Sequence, residues 1–353
     1  MHDYIIVGNG LAGAILSYRL SEEGKSIVIV DEDAPEAAWK VAGGLWNAIS
    51  FRRIIKGWMA DEMTDEADVF YQKLQDQWKV EFYEAKKIVR IFSDVHFQNT
   101  WLSKSDSPRL SNFLSDDSPD ELDELPLKMP FGAGTVKKGG FVHLGIFMKT
   151  IKERLSKSSI LINEKFDFSS LTVNNEFVEY KNIQARKIVF CEGHEVVNNP
   201  YFSWLPMNLT KGEVLILKNP GWKFDCIINN GKHLIDLKDG RLGVGATFDW
   251  KNLDHSITEE GKKQLLDHLE KNFEYKDWEV LSQKAGIRPT VSDRRPLTGV
   301  HPEHPNVFIF NGLGTKGVLI APWMSKKMTQ YLVNGDELPD ESNVRRYIKK
   351  HFP

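Results

Sequence analysis

The sequence has few cysteines and no long apolar run. Its only cysteines among 353 residues are Cys191 and Cys226. A chain of this length does not rely on one disulfide, and their spacing is not that of a metal site, so no metal is expected. No stretch approaches about eighteen consecutive apolar residues, so no membrane-spanning helix is predicted. The chain opens with a strand-like segment instead of a charged leader and an apolar stretch, and we therefore expect a cytoplasmic protein.

An excess of charge of either sign is also absent. The 46 basic and 49 acidic residues give a formal net charge of −3. Without a basic field the sequence predicts no nucleic-acid partner, although Arg52, Arg53 and Lys56 form a local basic cluster. A composition that is 41% hydrophobic and 27% charged is typical of a globular protein, and the length favours two domains.

The strongest pattern lies in the first thirty-two residues. An apolar run leads into Gly8, Gly10 and Gly13 at G-x-G-x-x-G spacing, followed by a helical stretch and a second apolar run over residues 27–30. This order is typical of a βαβ unit that binds a dinucleotide. Gly8 permits the tight turn, Gly10 lets the backbone approach a pyrophosphate, and Gly13 lets the helix pack closely on the strand.

Two acidic residues close this unit. Asp31 follows Gly13 by eighteen residues and is the candidate acceptor for an adenosine ribose, with Glu32 as its neighbour. The phosphates are expected at the helix N-terminus, where backbone N–H groups are unpaired and the dipole is positive. A plain βα turn without a ligand is the simpler alternative.

A second glycine-rich loop appears near the end of the chain. The apolar run over residues 307–310 is followed by a loop over 311–318 and a helix over about 321–332. We expect the early and late loops to converge on one ligand, so that both ends of the chain build one domain. Residues 211–248 alternate as antiparallel strands with Asn-Gly and Asp-Gly turns, which predicts a second sheet in the middle of the chain.

Other segments have a definite pattern but more than one interpretation. Residues 54–80 have near-helical apolar spacing, residues 144–155 also predict a helix, and Thr258 is a candidate N-cap for another. The doublet Gly43-Gly44 suits either close passage along a flat cofactor or a loop hinge. His143, His194, His233 and His255 are scattered, and each is interpreted as a surface or satisfied residue.

These motifs, taken in order, resemble a known family. They are the early glycine triplet with Asp31, residues 41–44, the strand end at 188–193, residues 285–289 followed by Asp293, and residues 312–317. The sequence resembles the D-amino acid oxidase superfamily of FAD-dependent oxidoreductases, and most resembles its glycine oxidase and sarcosine oxidase branch. The resemblance spans nearly the whole chain and is least specific in the centre.

The resemblance implies an α/β protein, α+β overall, with two domains. A Rossmann-type FAD-binding domain is expected over residues 1–80, 140–200 and 286–353. An antiparallel-sheet substrate domain is expected over residues 81–139 and 201–285.

The resemblance also implies residues for each part of FAD. Those for the pyrophosphate are Gly8, Gly10, Leu11, Ala12 and Gly13, and those for the ribose are Asp31 and Glu32. Those beside the flavin are Lys40, Val41, Gly43 and Gly44, with Gly193 at a strand end and Phe166 beside the adenine. Those at the pyrimidine end are Gly312, Gly314, Thr315, Lys316, Gly317 and Val318, where backbone N–H groups stabilise negative charge on reduced flavin.

The function implied by the resemblance is oxidation of a small amine or amino acid that carries a carboxylate. Arg288, in a Gly-x-Arg-Pro motif, binds that carboxylate through its planar fork, unless it pairs with Asp293 instead. Hydride passes from Cα to flavin N5, the imine hydrolyses, and oxygen or another acceptor reoxidises the flavin. The alternatives are a tRNA-modifying oxidoreductase of the same superfamily, a flavin-binding protein without turnover, and an NAD-dependent dehydrogenase.

Overall fold

A computed structural model describes residues 1–352. Its helices are α1 (Leu11–Glu22), α2 (Ala38–Val41), α3 (Ala60–Trp78), α4 (Val95–Ser105), α5 (Leu144–Ser158), α6 (Glu259–Asn272), α7 (Gly317–Asn334) and α8 (Ile348–His351). Among these residues, no helix is both long enough and apolar enough to cross a membrane.

The strands alternate with these helices along the chain. They are β1 (His2–Val7), β2 (Ile27–Val30), β3 (Leu45–Asn47), β4 (Ile49–Ser50), β5 (Ile55–Lys56), β6 (Tyr83–Ala85), β7 (Ile88–Ile91), β8 (Leu114–Ser115), β9 (Ala133–Val136), β10 (Gly139–Val142) and β11 (Ile160–Ile162). They continue with β12 (Leu171–Val173), β13 (Val178–Tyr180), β14 (Ile183–Phe190), β15 (Thr210–Lys218), β16 (Ile227–Asn229), β17 (His233–Asp236), β18 (Arg241–Gly245), β19 (Val280–Arg288), β20 (Leu297–Val300) and β21 (Val307–Asn311).

The chain forms two compact units. Unit 1 comprises Met1–Lys40, His143–Thr210 and Ile287–Pro353, and unit 2 comprises Val41–Val142 and Lys211–Gly286. Residues 41–80, which the sequence analysis grouped with the dinucleotide-binding domain, belong to unit 2. Their β3 pairs with β10 and their α3 contacts β6 and β10, so strand pairing rather than position in the chain decides their unit.

Unit 1 is built on a mainly parallel sheet. Strands β11, β2, β1 and β14 lie side by side and parallel, and β21 pairs in parallel with the end of β14. The hairpin β12–β13 and strand β20 add antiparallel edges. The apolar runs of β1 and β2 are buried throughout, as expected for strands covered on both faces.

Helices α1, α5 and α7 pack together in unit 1. Helix α1 is apolar over most of its length and contacts both α5 and α7. Its Arg19 joins the helices directly, donating from Nε to Ser325 Oγ at 3.0 Å and from Nη2 to the Pro322 carbonyl at 3.1 Å. The first and last segments of the chain are therefore held in one unit.

Unit 2 contains a largely antiparallel sheet in the order β19-β15-β18-β17-β16-β7-β9-β8, in which β16 and β7 are parallel. One face packs on α6 through Leu265, Leu269 and Phe273. Thr258 caps that helix as predicted, since its Oγ1 accepts a hydrogen bond from Gly261 N at 2.9 Å. The opposite face of this sheet carries Arg90, Asn229 and His233, as the cross-strand register requires.

Helix bounds differ modestly from those predicted. The helix expected over residues 54–80 is α3, Ala60–Trp78, because residues 55–56 pair as a strand with β4 instead. The helix expected at about 321–332 is α7, which begins at Gly317 and ends at Asn334, before Gly335 in the left-handed conformation. Both cysteines are free and buried.

Candidate functional site

Four parallel strands of unit 1 end at one edge of its sheet. Strands β1, β2, β14 and β21 run in the same direction, so the loops that follow them emerge together. Those loops contain Gly8–Gly13, Asp31, Gly193 and the second glycine-rich segment. Ligands of open α/β sheets gather at the carboxyl ends of such strands.

The loop between β1 and α1 is closed by glycines that leave no room for side chains. Gly8 has φ +93°, and a Cβ on Gly13 would lie 1.9 Å from the Gly8 carbonyl oxygen. The space beside Gly10 is open, since no protein atom lies within 4 Å of where its Cβ would be. Gly8 and Gly13 are therefore required by the fold itself, whereas Gly10 is not.

Asp31 connects the end of β2 back to this loop. Its Oδ1 accepts a hydrogen bond from Asn9 N at 2.9 Å, and its Oδ2 accepts one from Asp33 N at 3.1 Å. Lys152 of α5 lies 3.7 Å from Asp31 Oδ2. Glu32 is exposed, so of the two acids Asp31 is the one that the loop holds in place.

The N-termini of α1 and α7 are neighbours in unit 1. A Cβ on Gly317 would lie 3.6 Å from Leu11 Cδ2, so the first residues of the two helices lie close together. Gly314, in the turn before α7, has φ +57°, and Thr315 beside it is exposed. The early and late glycine-rich loops, about three hundred residues apart in sequence, therefore lie at one place.

The end of β14 adds a partly buried carboxylate, that of Glu192, to the same edge. Glu192 Oε2 accepts a hydrogen bond from Asn199 Nδ2 at 2.6 Å, and burial raises the pKa of Glu192 to about 7. Asn311 Nδ2 donates to the Gly193 carbonyl at 2.9 Å and so ties this loop to the end of β21. The sequence places Glu192 and Gly193 at the end of a strand, but no local pattern identifies Glu192 as a site residue.

Arg288 ends β19 beside the late loop. The carbonyl of Pro289, the next residue, accepts a hydrogen bond from Gly314 N at 3.1 Å. Burial lowers the pKa of Arg288 to about 10, so its guanidinium is still charged at neutral pH. Asp293 accepts a hydrogen bond from Arg346 Nε at 3.0 Å and another from Arg295 N at 2.9 Å. Asp293 is thus engaged in bracing its own loop.

The remaining candidates in unit 1 are Lys316, beside the late loop, and Phe166, in an aromatic cluster. Lys316 lies immediately before α7, and burial lowers the pKa of its amine to about 8. Phe166 stacks on Tyr180 with ring centroids 4.4 Å apart and contacts Phe190 edge-on. Phe166 is therefore part of an aromatic cluster against the core of unit 1, and it is only partly buried there.

Lys40 is the last residue of the first segment of unit 1, and Val41 is the first residue of unit 2. Within unit 1, Lys40 Nζ donates to the carbonyl oxygens of Asp33 and Ala34 at 3.0 and 2.9 Å. Within unit 2, Val41 packs on Gly286, whose Cβ would lie 3.0 Å from Val41 Cγ2.

Gly43 and Gly44 pass close to protein atoms of unit 2. A Cβ on Gly43 would lie 2.8 Å from His233 Nε2, and one on Gly44, which has φ +72°, would lie 2.2 Å from the Val142 carbonyl oxygen. Neither position has room for a side chain, because His233 lies next to Gly43 and the Val142 backbone lies next to Gly44. The sequence interpretation of His233 as a surface or satisfied residue missed this neighbour, which only the register of β17 brings there.

The edge of unit 1 fits a diphosphate group. Two adjacent helix N-termini direct the positive ends of two dipoles towards this edge. Open space lies beside Gly10, and Asn9 Oδ1 is buried without a hydrogen-bond partner in the described residues. A bound group with a donor would satisfy that oxygen.

Comparison with known proteins points the same way. A family model described as FAD dependent oxidoreductase (DAO) matches residues 3–331. The tRNA 5-methylaminomethyl-2-thiouridine biosynthesis bifunctional protein MnmC of Marinobacter nauticus is 24% identical over 349 residues, covering 91% of this chain and 54% of the relative. The chain spans little more than half the length of these bifunctional relatives.

Solved structures of similar fold cover nearly the whole chain. Iminodiacetate oxidase (IdaA) from Chelativorans sp. BNC1 matches with a TM-score of 0.81 and 20% identity, covering 98% of each chain. Glycine oxidase from Bacillus cereus ATCC 14579 matches with a TM-score of 0.82 and 20% identity, covering 96% of each chain. These likenesses establish the fold class that the sequence predicted.

Proposed function

Because the chain belongs to the FAD dependent oxidoreductase family, we propose that it oxidises a small amine that carries a carboxylate group. The family match confirms the predicted family, the predicted class of enzyme and FAD as the cofactor. The amine, the electron acceptor and the role of each residue belong to the proposal.

We assign the FAD diphosphate to the joined N-termini of α1 and α7. The closeness of Leu11 and Gly317 supports this assignment, because it shows that the two glycine-rich loops are neighbours. Asp31 is assigned to the adenosine ribose, since the Asn9 backbone holds its carboxylate at the loop. Bound FAD would supply the two-electron acceptor for the amine.

The observation that carries the substrate class is the placement of Arg288. The carbonyl of its neighbour Pro289 accepts a hydrogen bond from Gly314 N, so the backbone beside Arg288 is tied to the late loop. A guanidinium offers two parallel charge-assisted hydrogen bonds to a carboxylate and would orient the amine by that end.

No side-chain base is assigned to the reaction. An amine that binds in its neutral form needs only to be held in the correct orientation, and positioning alone lowers a barrier substantially. Two-electron oxidation of its C–N bond gives an imine, which water hydrolyses to an oxo acid and an amine. Arg288 contributes by fixing the carboxylate while this bond is oxidised.

Anaerobic mixing with a panel of amines tests the proposal. The panel is glycine, sarcosine, D-alanine and iminodiacetate, and loss of the oxidised flavin absorbance with any of them supports an amine oxidoreductase. Arg288→Met should raise KM about 100-fold, because two hydrogen bonds to a charged group are lost, while FAD content stays normal.

A matched arginine provides the control. Arg186 is exposed and lies 3.7 Å from Asp3 in a surface ion pair, so Arg186→Gln should leave KM unchanged. Unchanged KM in Arg288→Met would remove the carboxylate role.

The second candidate is oxidation of an amine attached to tRNA. It is favoured by the similarity to the bifunctional tRNA biosynthesis proteins over more than nine-tenths of this chain. The near-balanced charge gives no general attraction for RNA. Flavin reduction by tRNA that carries a carboxymethylaminomethyl group, but by none of the free amines, would select this candidate.

A further inference from the structure

A glutamate of unit 1 lies beside the loop to which we assign the diphosphate. Glu192 follows β14, and its Cα lies 3.4 Å from the point that a Cβ on Gly8 would occupy. The carbonyl oxygen of Cys191 is 2.6 Å from the same point. The end of β14 therefore packs directly against the first turn of the early glycine-rich loop.

The late glycine-rich loop is tied to the same strand end. Asn311 Nδ2 donates to the Gly193 carbonyl at 2.9 Å, and Asn311 Oδ1 accepts a hydrogen bond from Gly312 N at 2.8 Å. The fully buried Asn199 donates from Nδ2 to Glu192 Oε2 at 2.6 Å. The Glu192 carboxyl is thus held in the part of unit 1 where both loops lie.

Neutral and negative groups govern the ionisation of Glu192. Burial raises its pKa most, the hydrogen bond from Asn199 lowers it, and the charge of Glu195 raises it, which gives a pKa of about 7. Within residues 1–352, no cation contributes to this pKa. The carboxyl therefore changes charge near neutral pH without a local counter-ion in this part of the chain.

The ionisable groups that follow β14 do not supply that counter-ion. His194 Nε2 lies 3.1 Å from Glu195 Oε1, so these two side chains face each other. Burial raises the pKa of the Cys191 thiol and that of the Tyr201 hydroxyl, and both groups stay neutral between pH 6 and pH 8.

The loops that face Glu192 contribute few charges. Residues 8–13 carry no ionisable side chain, and Asp31 beyond them lies 3.7 Å from Lys152 Nζ. At the start of α7, burial lowers the pKa of the Lys316 amine to about 8. Lys316 is therefore the other group at this edge whose charge changes in the same pH range, and the test below accounts for it.

A diphosphate at the N-terminus of α1 would bring two negative charges close to Glu192. Like charges in a partly buried site repel each other more than they do in water, because the protein screens them less. Protonation of Glu192 removes this repulsion, so an anionic ligand binds best to the protonated form.

We propose that the charge of Glu192 opposes the FAD diphosphate, so that FAD binds with uptake of a proton at this carboxyl and is held less tightly as the pH rises. The inference rests on the proposed assignment of the diphosphate to the N-termini of α1 and α7. It adds a proton-linked control of cofactor binding, which is independent of the amine that is oxidised.

The test titrates FAD, ADP-ribose and adenosine into the protein stripped of its flavin, at pH 6 and pH 8. ADP-ribose carries the same diphosphate as FAD, and its phosphates lack the second ionisation near pH 6 of a terminal phosphate. Its Kd should rise about fivefold from pH 6 to pH 8, of the roughly tenfold that one proton with a pKa of about 7 allows. Adenosine has no phosphate, so its Kd should stay constant.

Glu192→Gln should remove this pH dependence. Its Kd for ADP-ribose should equal that of the wild type at pH 6 and should change by less than about twofold at pH 8, which is the most that loss of charge from Lys316 contributes. Glu22 provides the matched control, since it is exposed and ends α1, roughly 16 Å from the first residue of that helix. Glu22→Gln should keep the wild-type pH dependence.

Calorimetry in buffers of different ionisation enthalpy measures the proton directly. At pH 7.5, binding of ADP-ribose should take up about half a proton in the wild type and almost none in Glu192→Gln. If Glu192→Gln does not fold, Glu192→Ala is measured in the same way.

The outcomes separate this inference from the assignment on which it rests. Failure of ADP-ribose to bind at either pH would refute the diphosphate assignment and this inference together. Binding with the same pH dependence in the wild type and in Glu192→Gln, or with none in the wild type, would refute the role of Glu192 alone.

Discussion

Replacing Gly10 by alanine should separate the stability of unit 1 from its affinity for FAD. Gly10 has φ −73° and ψ −171°, which alanine adopts without strain, and no protein atom lies within 4 Å of the added methyl group. The protein should therefore be as stable as the wild type, or more stable by about 0.4–1 kcal/mol, because alanine restricts the unfolded chain.

The affinity for FAD should change in the opposite direction. The methyl group would occupy the open space through which a diphosphate reaches the N-terminus of α1. Losing one hydrogen bond to a charged phosphate costs about 1.5–3 kcal/mol, which corresponds to a roughly 10- to 150-fold higher Kd for FAD. Retained flavin is measured after purification, Kd by titration of the stripped protein, and stability by thermal unfolding.

Substitutions at two other glycines serve as controls for Gly10→Ala. Gly145, in α5, also has open space around it, so Gly145→Ala should raise stability slightly and leave the Kd for FAD unchanged. Gly13→Ala should lower stability itself, because its Cβ would lie 1.9 Å from the Gly8 oxygen. A stable Gly10→Ala variant with the wild-type Kd would show that the diphosphate does not approach Gly10, and the assignment to α1 would be refuted.

Two further predictions concern stability within each unit. Glu192→Gln should stabilise the protein by about 2 kcal/mol at pH 8 and have little effect at pH 4, because the neutral amide can still accept the hydrogen bond from Asn199. Thermal unfolding at the two pH values measures this difference. Because folding raises the pKa of Glu192, its neutral form stabilises the folded protein; this contribution is fully present below the unfolded pKa and is lost as the pH rises through about 7. Equal effects of Glu192→Gln at pH 4 and pH 8 would contradict this reasoning. Gly44→Ala should destabilise unit 2 by about 2–4 kcal/mol, because a positive φ and a 2.2 Å approach to Val142 both oppose a side chain; unchanged chemical denaturation would contradict it.

The sequence by itself determined the local units of this protein. The glycine spacing from Gly8 to Gly13, the acid at Asp31 and the cap at Thr258 each depend on residues within one turn or one βαβ unit. Local backbone preferences and hydrophobic periodicity are sufficient to predict such elements. The family resemblance followed from these same motifs, and the family match over residues 3–331 confirms it.

Only the tertiary structure decided which distant segments meet. His233 lies against Gly43 and Arg90 reaches Asn229 because particular strands pair in particular registers, and Leu11 lies near Gly317 because α1 packs on α7. A shift of one residue in such a register would turn Arg90 or His233 to the opposite face of the sheet. Register depends on the burial of the whole sheet, so no local pattern revealed that residues 41–80 would join unit 2.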